Sequence, residues 1–255
     1  MPAAPQHILS NPSAHEDNVY RIPTAYESAV MARRIMHLSQ LGELVTSFPL
    51  VSSSDNLNTL ENRPADVAGT PISLMEYIAD CEPESGNPTL LAINLATPYK
   101  NYHAGSNISL SLRWWPEQDT HFASSSGPSF FWSADEKIPT PHTPAAMPRF
   151  SLQGHLERIE GDAISKLKIA ACFLSKHPDS ALWQPGNDIH ESEYVRFVPE
   201  ELYWFGGFGD RSFIGWIPIE DWRSVTIEEV EACRLPGESD KKSWSESFSA
   251  WREWL

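Results

Sequence analysis

Three stretches, GTPISLMEYI (69–78), TLLAINLATPYKNY (89–102) and NISLSLRWW (107–115), decide how this chain is read. Each is a short apolar or alternating run bounded by Gly, Pro, Asn or Asp, the pattern of consecutive strands in an antiparallel sheet. The run from Thr89 to Leu95 is the most continuously apolar, broken only near its end by Asn94, so it is expected at the centre of the sheet. A polar cluster follows directly: Thr97, Lys100 and Asn101, at the start of a turn or short helix. A hydroxyl, an ammonium and an amide gathered at a strand end are suitable ligands for a phosphate. An ordinary polar turn is the competing reading.

Upstream, Thr24 and Glu27 form a capping box, followed by Val30, Met31, Arg34, Ile35, Leu38 and Leu41 at helical spacing. Gly42 is expected to end that helix at its C′ position. Arg33 and Arg34 read either as a solvated face or as a phosphate contact. A strand is expected over 43–48, then a polar loop over 51–71. Downstream, a strand is expected over 149–159. A helix over 162–176 is expected to turn Leu167, Ala170, Ala171 and Leu174 inward, with Pro178 as its stop. Separate strands are expected over 194–198 and 201–205. Gly206, Gly207 and Gly209 mark a tight corner before a last strand over 212–217. Thr226 and Glu229 form a second capping box.

Residues 1–21 read as a flexible arm, 22–235 as a single domain and 236–255 as a tail. Within the domain, 116–148 is a long Pro-rich insertion around Phe130, Phe131 and Trp132. A loop of that length either covers a site or is a surface addition. In the tail, Trp244, Phe248, Trp251 and Trp254 or Leu255 fall on one helical face, expected to pack on the domain or on a second copy.

With 255 residues, 41% of them hydrophobic, the chain can bury a substantial core. Its 21 prolines against 13 glycines suggest loops and short strands rather than a helical bundle. A net charge of −15 argues against nucleic acid, because a phosphate backbone needs a basic stripe. Any anionic ligand must therefore be held by a local cluster. No run approaches the roughly 20 apolar residues of a membrane-spanning helix. Met1–Ser10 lacks the basic and apolar segments of a secretory leader, so the chain as written is expected to be cytoplasmic. Secretion after removal of a leader is the alternative, in which case Asn107-Ile108-Ser109 is a glycosylation sequon. Cys81, Cys172 and Cys233 show no C-x-x-C spacing and leave room for one disulfide and one free thiol.

Several motif fragments lead nowhere. Tyr194 stands where H-E-x-x-H needs its second histidine, and His155-Leu156-Glu157 has no following P-C-x-x-C. There is no G-x-S-x-G nucleophile elbow. The glycines at 206–209 precede a strand rather than a helix and do not have dinucleotide-binding spacing.

The order of these segments, with RFSLQG (149–154), SKHPD (175–179) and WFGGFG (204–209), resembles the pyridoxamine 5′-phosphate oxidase-like split barrels. Within them the chain looks most like the CREG-type branch and its fungal relatives, from about Tyr26 to Leu235. The resemblance implies a mainly β fold with peripheral α-helices: an antiparallel, FMN-binding split β-barrel of about six strands, completed as a homodimer with its ligand sites at the dimer interface. It implies FMN as cofactor, held by Ser73, Thr97, Lys100 and Asn101. Arg34, Gln153 and Trp204 are expected to line the site, with Arg149 a further candidate. The first functional reading is an FMN-binding protein, and by extension a flavin-dependent oxidoreductase. Tyr99, His103 and His155 are weak candidates for its acid or base. The alternative is a non-catalytic CREG-like module with an occluded flavin pocket and a protein partner. Pro98 and Tyr99 stand where FMN-binding members often carry His-Thr, which favours the alternative. Related haem-degrading barrels follow the glycine corner with a haem-ligating histidine, and this chain has none after His190.

Overall fold

A computed structural model describes residues 21–50, 64–115, 144–187, 191–209, 212–236 and 238. The N-terminal arm up to residue 20, the aromatic centre of the insertion and the aromatic stripe of the tail lie outside the described residues.

The chain opens with α1 (Ala25–Leu38) and continues through β1 (Leu41–Ser47), β2 (Pro71–Ala79), β3 (Thr89–Ile93), α2 (Thr97–His103), β4 (Ile108–Arg113) and β5 (Arg149–Arg158). It then forms α3 (Ala163–Lys176), a 3₁₀ segment (Pro178–Trp183), β6 (Ser192–Phe205), β7 (Ile214–Ile217), α4 (Ile219–Ser224) and α5 (Ile227–Ala232). The strands pair antiparallel in the order β3-β2-β1-β4-β5-β6-β7, and β3 also pairs with β6. That second pairing closes six strands into a barrel. Leu90 lies at the seam, opposite Ile78 on one side and Val195 on the other.

One strand makes the closure work. β6 pairs with β5 along most of its length, while its other edge serves β3 through Ser192–Arg196 and β7 through Leu202–Phe205. Two separate strands were expected here, and the structure has one. The apolar alternation changes phase within β6: Val195 and Phe197 face inward before Glu200, Leu202 and Trp204 after it. The register shifts there, with Gln153 opposite Glu201 but Gly154 opposite Pro199, so Glu200 is the extra residue of a β-bulge. Gly154 lets the bulge form, since a Cβ at that position would lie 2.0 Å from the Val198 carbonyl oxygen. A sequence pattern of period 2 cannot distinguish such a phase change from a chain break.

Leu44, Ile78, Leu90, Leu110, Leu152, Phe197, Leu202 and Trp204 fill the barrel. Tyr99 of α2, Trp222 of α4 and most of one side of α1 extend the same core. The capping box of α1 is present, with Thr24 Oγ1 accepting from the Glu27 backbone N–H. The helix, however, ends at Ser39 rather than at Gly42. Gly42 belongs to β1 opposite Glu76, where a Cβ would meet Leu110 Cδ1 at 2.7 Å. Close packing inside the barrel, not a helix terminus, requires this glycine.

The faces of α3 also differ from expectation. Asp162 caps the helix, its side chain accepting from the Ser165 N–H, but Ile169 and Phe173 are the buried positions. Ile164 and Leu167 face solvent at 65% and 70% exposure. The disulfide Cys81–Cys172 decides the orientation, because α3 must turn the Cys172 side towards the end of β2. Phe173 then joins Ala79 and Leu91 in a second, smaller core. His177 donates from Nε2 to the Ile78 carbonyl at 2.8 Å and stacks on Tyr77.

Two predictions follow from this architecture. Cys81 and Cys172 are 91 positions apart, and a crosslink between them is expected to stabilise the fold by about 2–4 kcal/mol, as is typical of a disulfide. Urea unfolding of Cys81→Ser/Cys172→Ser is expected to show a loss of that size. Thiol titration is expected to find Cys233, buried and pushed up to about 12 by burial, only after denaturation. The second concerns Glu76, inside β2 near Tyr99, whose carboxyl burial pushes up to about 7 from an ordinary 4.5. Because the folded value is the higher one, the stability is fully present below pH 4.5 and is lost as pH rises through 7. At about 1.4 kcal/mol per pH unit, the loss is on the order of 3–4 kcal/mol. Denaturant melts from pH 5 to 8 are expected to show this slope for the wild type, and Glu76→Gln to flatten it.

Candidate binding site on the outer face of the barrel

Alternation in the strands gives the barrel two chemically different sides. Inward positions are almost all apolar. Outward positions form rows that can be read across the register. One row runs Ser73, Val45, Ser109, Gln153, Glu201. The next runs Met75, Glu43, Ser111, Ser151, Tyr203, Trp216. A third includes Arg113, Arg149, Phe205 and Ile214. Met75, Glu43, Ser111, Ser151 and Tyr203 of the second row and Arg113, Arg149 and Phe205 of the third line a groove of about 590 Å³, together with Leu38, Trp114 and Trp115.

The groove combines aromatic surface with positive charge. The Arg149 guanidinium lies 3.9 Å over the Phe205 ring, a cation–π arrangement that also orients the side chain along the floor. Tyr203 and Trp216 meet edge to face at 5.2 Å. Trp216 is 59% exposed and Met75 67%, so this side carries large apolar groups in water. Ser111 Oγ donates to Ser151 Oγ at 3.3 Å, and Gln153 Nε2 donates to the same oxygen at 3.0 Å. The Gln153 carbonyl oxygen is buried and has no hydrogen-bond partner among the described residues. A buried, unpartnered acceptor is costly unless something donates to it.

The seven side chains expected around a flavin are distributed over both sides of the sheet. Ser73 and Gln153 share the first outward row, three strand spacings (about 14 Å) apart. Asn101 lies on the inner side, fully buried, where its amide donates to Thr46 Oγ1 at 3.1 Å. Thr97 and Lys100 are half-buried on α2. That helix has no side-chain cap and packs against β1 and β2. Tyr102 pins it to β5, its hydroxyl accepting from the Leu156 N–H at 3.1 Å. Trp204 is fully buried in the core.

Arg33 and Arg34 are buried too, which overturns the reading of a solvated pair. Arg34 forms an ion pair with Glu238. Arg33 donates to the Trp222 carbonyl at 3.0 Å and to the Pro83 carbonyl, and lies over the Trp222 ring. Of the acid–base candidates, Tyr99 is buried with its hydroxyl unpartnered among the described residues. His103 is exposed, and His155 lies between Glu157 and Glu200 on the surface, which raises its pKa.

Ser111, Arg113, Ser151, Tyr203 and Phe205 were not anticipated as site residues. Their signal is in the sequence: outward positions 109, 111 and 113 are Ser, Ser and Arg in a strand whose intervening positions are Ile, Leu and Leu. Only the register of the neighbouring strands shows that they share a surface with residues 149–151 and 203–205.

Comparison with known proteins gives a family. Residues 23–224 match the family model described as "CREG, beta-barrel". No curated protein matches the sequence. Among solved structures, a haem-binding protein from Mycobacterium smegmatis is 18% identical over 80% of this chain, with a TM-score of 0.48. This chain spans 62% of that protein's length. HutZ, the haem storage protein from Vibrio cholerae, is 14% identical over 76% of this chain and 98% of its own, with a TM-score of 0.39. A FAD-binding protein from Mesorhizobium loti is 14% identical over 72% of this chain and 95% of its own, with a TM-score of 0.38.

Proposed function

From the premise that this chain belongs to the CREG β-barrel family, we propose that it is a non-catalytic binding module rather than a flavin-dependent oxidoreductase. The observation that carries this reading is the fate of the expected flavin ligands. Asn101 is spent on Thr46, Arg34 on Glu238, and Trp204 lies in the core without surface. Breaking the buried Arg34 pair to free a cation for phosphate would leave the Glu238 carboxylate without its partner, an expensive exchange. Tyr99, where FMN-binding members often carry Thr, fills interior space instead of offering a hydroxyl to a ligand. The phosphate end of FMN is therefore poorly matched by these residues.

The working surface on this reading is the outer face of the sheet, and its first partner is a second copy of the chain. Trp216, Met75 and Ile214 are the apolar groups a homodimer would cover there. Light scattering on eluted protein is expected to give twice the 28.7 kDa chain mass, and Trp216→Glu to give the monomer. A wild-type mass of one chain would remove this part of the proposal. The disulfide supports the secreted alternative over the cytoplasmic one, since such bonds persist in oxidising compartments. A reduced Cys81 in protein whose thiols are blocked at lysis would argue the reverse.

One feature favours the FMN-binding reading as the second choice. The orphan carbonyl oxygen of Gln153 is suited to a ring N–H, and an isoalloxazine lying on the outer face would supply one. The two readings separate in the visible absorbance of purified protein, taken before and after incubation with excess FMN and gel filtration. The module reading expects no retained flavin. Bands near one flavin per subunit, lost in both Lys100→Ala and Gln153→Leu, would replace it with the cofactor reading.

A further inference from the structure

A second groove lies on a different part of the surface, between α3 and the adjoining ends of β5 and β6. Its volume is about 940 Å³, within the roughly 300–1,000 Å³ usual for small-molecule sites, and it shares no lining residue with the outer-face groove. Ile159, Leu167, Ala170, Leu174 and Tyr194 supply its apolar walls. The Tyr194 hydroxyl is already bound to Gln184, so that wall presents its ring rather than a free polar group.

Two independent observations say what would occupy it. The first is the unusual orientation of α3. Three of the four apolar positions that periodicity assigns to the core, Leu167, Ala170 and Leu174, line the groove instead, with Leu167 at 70% exposure. The second is charge. Residues 163–176 contain Lys166, Lys168 and Lys176 and no acidic residue, in a chain of net charge −15. Lys176 is drawn inward to the His37 carbonyl, whereas Lys166 lines the groove and is exposed. Of the other charged groups there, Arg158 and Glu193 neutralise each other in an ion pair, and Glu160 is exposed. An apolar trough lined also by the exposed Lys166 ammonium matches a ligand with one long hydrocarbon chain and one negative head.

We propose that this groove binds a single anionic amphiphile, a long-chain carboxylate of the fatty-acid class. Its chain would lie along Leu167, Ala170 and Leu174, and its head would meet Lys166. The proposal does not depend on whether flavin or a second copy occupies the outer face.

The test is a fluorescence titration of the full chain with cis-parinaric acid, a fluorescent fatty acid, kept below its micellar concentration. Saturable binding at one site per chain is expected, displaced by oleate. Leu167→Glu, at an exposed position that folding does not depend on, is expected to weaken binding at least about tenfold with unchanged circular dichroism. Lys166→Glu is expected to weaken oleate about tenfold while leaving displacement by uncharged oleyl alcohol unchanged. Absence of saturable binding would overturn the proposal, as would unchanged affinity in Leu167→Glu. Equal weakening of oleate and oleyl alcohol by Lys166→Glu would overturn the head-group assignment. Binding to phosphatidylserine vesicles but not to monomeric parinarate would show a membrane-lying face in place of a groove for one molecule.

Discussion

The bulge at Glu200 is the constraint on which the rest of the barrel depends. β6 must offer one edge to β5 and share the other between β3 and β7, two strands it meets at opposite ends. Without one extra residue, a strand with apolar groups at 195 and 197 would turn 202 and 204 to the solvent side. The bulge restores the phase, bringing Leu202 and Trp204 back into the core, and it bends the strand as closure of a small barrel demands. Gly154 on the facing strand is the matching requirement, since any side chain would strike the Val198 carbonyl. The closed seam at Leu90 and the addition of β7 both follow from that local geometry.

Filling the barrel has chemical consequences at α2. A helix this short gains little from its own hydrogen bonds, so its position is set by what it buries. Tyr99 enters the core, Asn101 bonds Thr46 from within, and Tyr102 fastens the helix to β5. The polar triad Thr97, Lys100 and Asn101, adjacent in sequence, is thereby divided between half-buried and fully buried environments. Meanwhile the outward rows of β1, β2, β4, β5, β6 and β7 assemble hydroxyls, two arginines and aromatic rings from widely separated segments into one surface. That contrast, an interior amide already bonded to Thr46 and an outer face presenting hydroxyls, arginines and aromatic rings, is the geometry on which the proposed binding role rests.

The two arginines of α1 show how much the outcome for a charged residue depends on packing. Arg33 and Arg34 adjoin each other in sequence and are both buried, yet their partners differ. One finds backbone carbonyls and the Trp222 ring, the other the Glu238 carboxylate. Each ties the helix to segments far away in sequence. Their planar, multiply donating groups make such burial tolerable where a single-headed cation would fare worse.

By itself the sequence determined the class of fold and most of its parts. Short apolar or alternating runs at 69–78, 89–95 and 107–115 report strands because side chains on a pleated backbone repeat every second residue, and the Thr24 and Thr226 capping boxes report helix starts because they satisfy N–H groups within one turn. Those are local effects. Tertiary structure alone decided matters that rest on distant neighbours. Gly42 is a strand residue because Leu110 occupies the space beside it, and α3 buries Ile169 and Phe173 while leaving Leu167 in solvent because Cys172 must reach Cys81. Residues 194–205 form one strand because a bulge hides the phase change. Likewise, Ser111, Arg149 and Tyr203 share a surface only through register, which hydrogen bonds between strands set and periodicity along one strand does not encode.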